Sequence, residues 1–150
     1  MQTKSRIWPM TMIALGAVGL VMGAVFIVQG VTKSKTLAGA MREEKVTLYF
    51  VPGADKEEII DTAHEAMVAA DTIREHRRKI APTYKDLLGG EKFDPRKPEQ
   101  VMYAQALNME HYLYLAVVGF GLTQMAIASG IFMMIMGIGL GGTGIALYKS

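Results

Sequence analysis

A chain of 150 residues that is 51% hydrophobic yet 20% charged, with a net charge of +2 and a mean hydropathy of +0.23, must segregate its two kinds of residue. The charge balance offers no basic field for nucleic acid, and with no cysteine there is no thiol nucleophile and no indication of redox compartment. All 14 acidic residues and 13 of the 16 basic ones lie between Gly30 and Tyr112, which leaves an apolar block on each side.

Residues 1–6 form a short basic tail carrying Lys4 and Arg6. Trp8 and Pro9 then open an apolar segment, 7–31, that is long enough for one helix to cross a hydrocarbon core of about 30 Å, which needs ~20 residues. An interfacial indole and a first-turn proline both suit that entry. A cleaved leader fits less well. The apolar run is about twice the usual signal-peptide core, and the small triplet Ala38-Gly39-Ala40 lies well beyond Gly30. Gly16, Gly23 and Gly30 recur every seven residues, and Gly19 with Gly23 makes a G-x-x-x-G. Lipid supplies no hydrophobic drive between helices, so such small-residue faces are where backbones approach closely and gain dispersion contacts.

The residues after Val31 keep helix formers and predict a stalk that continues the first helix. Val46 to Val51 is a β-branched and aromatic run stopped by Pro52-Gly53, which reads as an extended segment or an isolated edge strand. A soluble helix is predicted over Asp55 to Ala81, capped by Asp55 with Glu58 three residues on and striped by Ile59, Ala63, Ala66, Ala70, Ile73 and Ile80. Acidic residues at its start and the run Arg74 to Lys79 at its end complement the helix dipole, and the run reads as a solvated terminus. Gly89-Gly90, Pro95 and Pro98 make Tyr84 to Pro98 a loop with one short turn around Tyr84 to Leu88.

From Glu99 a single helix is predicted to run into the second apolar block, 113–147, with Tyr112 and Tyr114 near the interface. There Ala116, Thr123, Gly130, Gly137 and Gly144 are seven apart, and Gly119 and Ala126 extend the same face. Whether these small faces meet those of the first span or another subunit is open. Gly137, Gly139, Gly141, Gly142 and Gly144 together predict a kinked or loosened end before the tail at 148–150. Gln124 is expected to hydrogen-bond a neighbouring helix. The outer region, 32–112, is too short to bury a large core unaided.

The chemical inventory is thin. His64, His76 and His111 each neighbour a glutamate, but adjacent residues diverge on a helix, and no H-x-x-x-H or E-x-x-H pair occurs. The cluster Met133, Met134 and Met136 reads as adaptable packing rather than a soft-metal path. No nucleophile elbow or phosphate-binding loop appears, and neither span holds the charged residue that ion pathways usually need.

Met41-Arg42-Glu43-Glu44-Lys45-Val46-Thr47, Ile73 to His76 with Thr83-Tyr84 and Leu87, Asp94-Pro95-Arg96, and Ala106-Leu107 leading to Val117-Val118-Gly119-Phe120-Gly121 resemble an uncharacterised family of small two-span bacterial proteins, met in actinobacteria and related lineages. The resemblance covers about two thirds of the chain and implies the layout of span, outer domain and span. Members often carry a label naming an aromatic ring-opening dioxygenase, whose iron site this sequence does not supply.

The sequence therefore predicts an all-α membrane protein, with two transmembrane helices flanking a helical extramembrane domain. Its expected place is the plasma membrane with both termini cytoplasmic, since Lys4, Arg6 and Lys149 flank the short tails and a loop above about 60 residues translocates largely regardless of charge. The expected role is a noncatalytic subunit without cofactor, partnered by lipid and by other membrane subunits or copies of itself. The alternative is a small-ligand or metal-binding protein using the outer His and Glu residues.

Overall fold

The structure is a computed structural model that describes residues 3–149. The ends of the two expected tails, residues 1–2 and 150, lie outside the described residues, as do the side chains of Lys4 and Arg6. The element order is α1 (Thr3–Glu43), α2 (Ala63–Ile80), α3 (Tyr84–Leu88) and α4 (Pro98–Lys149). Two compact units result, one made of the residues up to Lys35 together with those from Leu122 onwards, the other of Thr36–Gly121.

In the first unit α1 and α4 run antiparallel, Gly16 lying against Gly137 and Gly141 and Gly30 against Thr123 and Ile127. Segments of both helices are long and apolar enough to cross a membrane. The glycine-rich end of α4 is not loosened: the helix continues unbroken to Lys149. Each glycine weakens a helix by about 1 kcal/mol relative to alanine. Here Gly137, Gly141 and Gly144 sit against α1, and those close contacts offset that cost.

The second unit holds a small core of Leu48, Ile60, Ala66, Ala69, Ala70, Ile73, Leu113, Ala116 and Phe120. Beyond α1 the chain reverses at Lys45, whose φ of +49° is left-handed, with the Val46 amide donating to the Met41 carbonyl. The expected isolated strand has a partner. Thr47 and Ile59 form an antiparallel bridge, flanked by Leu48 N–H to Glu58 O at 3.0 Å and Ile60 N–H to Val46 O at 2.8 Å. The turn between them passes through Gly53 at φ +81°, the conformation for which glycine is suited.

That bridge explains why the soluble helix starts at Ala63 rather than at Asp55. Two capping patterns of the same spacing compete, Asp55 with Glu58 and Thr62 with Glu65. Asp55 instead closes a local turn, its Oδ1 accepting the Glu57 amide at 3.0 Å. Ile59 is drawn into the bridge, and the β-branched Ile60 is fully buried. Thr62 then caps α2 with a complete capping box: its hydroxyl accepts the Glu65 amide at 3.2 Å, and Glu65 Oε2 accepts the Thr62 amide at 3.1 Å. Extended Ala81 before Pro82 ends the helix. α3 is the short turn between the Thr83 cap and left-handed Gly89. Proline at the first position of α4 loses no hydrogen bond there, and Gln100, 4% exposed, accepts the Asp94 amide at 2.7 Å and ties the preceding loop down.

Candidate functional site

Two assemblies of side chains hold the elements together. One is the glycine seam of the first unit. Pro9, Gly16, Gly23 and Gly30 are buried on α1, as are Gly130, Gly137 and Gly144 on α4, so each heptad stripe faces the other. A methyl added at Gly23 would lie 2.6 Å from Met134 Cγ and 2.7 Å from the Gly130 oxygen, and one at Gly144 would lie 2.8 Å from the Pro9 oxygen. Only glycine fits at such distances. Gly19 is slightly looser, a methyl there lying 3.3 Å from Gly137 Cα and the Met133 oxygen, and the Thr123 carbonyl stands 2.8 Å from the site of a Gly30 methyl. Ala126 is half-buried. Ala116 and Gly119 belong to the second unit, where Ala116 joins the core and a methyl added at Gly119 would lie 3.0 Å from Leu37 Cδ2. In the structure these faces pair within the chain, Gly16 against Gly137 and Gly23 against Gly130. Gly121, Gly139 and Gly142 point into open space, and Gln124, expected to bond another helix, is exposed.

The other assembly is a pair of polar clamps that dock α2 on α4. Tyr114 donates its hydroxyl to Asp71 at 2.6 Å. Arg74 pairs with Asp71 at 2.8 Å, its guanidinium 5.8 Å from the Tyr114 ring centroid. One turn further on, Arg77 pairs with Glu110 at 2.7 Å, the two side chains only 8% and 6% exposed. Arg77 also donates to the Tyr103 hydroxyl and lies 4.8 Å from that ring's centroid. The hydrogen bond to Glu110 holds the Arg77 pKa above its ordinary value against the opposing effect of burial, so the guanidinium stays charged. Among the described residues no buried side-chain N or O lacks a hydrogen-bond partner. The clamp is closed on itself, each of its buried polar groups being satisfied by another.

Arg77 is thus a correction to the reading of Arg74 to Lys79 as a solvated terminus, although Arg78 and Lys79 are exposed. A signal for the clamp exists in sequence: Tyr103 and Glu110 stand in the α4 stripe that also carries Ala106, Leu113, Val117 and Phe120, and Arg77 continues the α2 stripe through Ala66, Ala70 and Ile73. A charge on an apolar stripe requires a partner.

His64, His76 and His111 are all exposed, and among the described residues no three of His, Asp and Glu come together as a metal-holding group. Of the methionine cluster, Met133 and Met134 are half-buried, Met134 lying on Gly23, whereas Met136 is exposed. Comparison of the chain with protein-family models, with curated proteins and with solved structures gave no match.

Proposed function

We propose that the chain is a noncatalytic two-span protein of the cell membrane, with both termini cytoplasmic and residues 32–112 outside, acting as an accessory or scaffold subunit for other membrane chains or for copies of itself. One observation carries this reading: in the most apolar windows of α1 and α4 only 11% of the residues are buried. A core helix of a water-soluble protein is covered by its own chain, whereas these faces need lipid or another helix around them. The seam supports a hairpin that forms without help and leaves its outer faces for partners. The self-satisfied clamps support a structural rather than catalytic outer unit. The resemblance to small two-span bacterial proteins implies the same layout.

The natural absence of cysteine makes the topology directly testable. Glu57→Cys should react with a membrane-impermeant maleimide on intact cells, and Lys149→Cys only after permeabilisation; the reverse pattern rejects the orientation. The subunit role is tested by the mass of the full chain solubilised in mild detergent. A defined oligomer or a stoichiometric second chain is expected, and a lone monomer at all concentrations refutes it.

A further inference from the structure

Within the Thr36–Gly121 unit, the end of α1 and the facing part of α4 enclose a groove of about 660 Å³, in the range of pockets that hold drug-sized ligands. It runs beside α4 from Gln105 to Ala116, about 16 Å at 1.5 Å per residue. Its two ends differ in chemistry. Towards Leu37, Leu113 and Ala116 it is purely apolar, and Leu37 there stands 3.0 Å from where a methyl on Gly119 would lie. Towards the other end stand Glu44, Gln105 and Asn108, two amides and one carboxylate, with no cation among the lining residues. Small, exposed Ala40 leaves the side open, and Met109 and Tyr112, 46% and 71% exposed, supply a flexible and an aromatic wall.

We propose that this groove binds a single-chain lipid amphiphile with an uncharged, hydroxyl-bearing head, of the monoacylglycerol class. The acyl chain lies along Leu37, Leu113 and Ala116, and the head hydroxyls donate to Glu44 and Asn108 while accepting from the Gln105 amide. The gradient fixes the orientation, chain towards Leu37 and Ala116, head towards Glu44 and Gln105. The lone carboxylate disfavours an anionic head, which would face Glu44 without a compensating cation, and the Gln105 and Asn108 amides, each donor and acceptor, are matched by hydroxyls rather than by an ammonium, which only donates. This inference stands apart from the subunit reading, since every lining residue belongs to one chain.

The test uses the full chain in neutral detergent, photolabelled with a monoacylglycerol that carries a diazirine in its acyl chain. Labelling should saturate and fall on peptides containing Leu37 to Met41 and Met109 to Ala116. Unlabelled monoacylglycerol should compete at about tenfold lower concentration than the fatty acid of equal chain length, the scale of one like-charge contact near a protein surface. Ala40→Trp, at an exposed position, should abolish most of the label by filling the groove, and Glu44→Lys should reverse the head preference. Labelling spread along outward residues such as Leu122 and Ile131 and unmoved by Ala40→Trp overturns the proposal. So does equal competition by the two heads, or a groove that labels only when copies of the chain are kept from associating.

Discussion

Replacing Gly16 by alanine sets two effects of similar size against each other, and the seam geometry decides between them. The new methyl would lie 2.6 Å from the Gly141 nitrogen and 2.7 Å from the Gly137 oxygen, where ordinary carbon contacts are about 3.5–4.0 Å. Both neighbours are backbone, so no side chain can swing aside and the helices must part. Overpacking of this kind costs roughly 1–3 kcal/mol. Alanine also gains about 0.8–1.0 kcal/mol in helix propensity over glycine, a gain shared by Gly139→Ala, whose methyl meets nothing within 4 Å. Comparing the two variants therefore cancels propensity and isolates the contact cost: Gly16→Ala should be the less stable by about 1–3 kcal/mol. Gly19→Ala, with nearest atoms at 3.3 Å, should fall between them. Reversible unfolding of the full chain in mixed micelles, followed by helix circular dichroism, measures the order. Equal stability of Gly16→Ala and Gly139→Ala would refute the within-chain seam.

The buried clamp yields a second test: Glu110→Ala leaves the Arg77 charge buried and unpaired and should cost about 3–5 kcal/mol, whereas Arg77→Met with Glu110→Leu should recover most of it. Denaturant titration of the single and double variants checks this. Thr62→Ala removes the cap of α2 and should destabilise it by about 1 kcal/mol, while Asp55→Ala leaves the helix start unchanged; amide exchange at Ala63 to Ala66 reports which residue caps. In the loop before α4, hydrogen bonds from Arg96 hold the Asp94 carboxyl below the usual carboxylate range, as Lys97 does for Glu91. A carboxylate depressed on folding contributes its stability above its unfolded pKa of about 4 and loses it as pH falls through the lowered folded value. Carboxyl NMR should therefore give an Asp94 midpoint below the ordinary aspartate value, raised by Arg96→Gln and by high salt; a midpoint indifferent to Arg96 would remove the ion pair from the account.

The glycine heptads were legible in the sequence because a period of seven on an apolar helix marks one face whatever that face touches. Their partner was not legible, since the same stripe serves a hairpin or a dimer equally well, and only the antiparallel register of Gly16 with Gly137 and Gly23 with Gly130 distinguishes them. The start of α2 was misplaced for a local reason. Asp55 and Thr62 carry the same capping signature, and the choice rests on a tertiary bridge between Thr47 and Ile59 that no window around either residue contains. Arg77 and Glu110 were hidden by their own charge. Each lies on its helix's apolar stripe, but a hydrophobic pattern omits charged residues, and so the deepest polar contact of the outer unit read as solvated surface.

The two units settle their register by different physics. Close packing suffices in the seam, because a shift of α1 along α4 would move each buried glycine off its partner backbone and replace it with a side chain such as Leu20 or Ile27, which already flank the contact. Helix α2 has no such lock: Ala66, Ala69 and Ala70 are wholly buried, but methyl groups of one size slide past one another cheaply. The directional contacts provide what alanine does not. A slip of one turn would carry Arg77 away from Glu110 and Tyr103 and Asp71 away from Tyr114, leaving a buried carboxylate and a buried guanidinium without each other. Breaking such a pair costs about 3–5 kcal/mol, more than a sliding alanine face can return. The clamps therefore act on specificity more than on stability, and they sit where the packing of the outer unit is least selective.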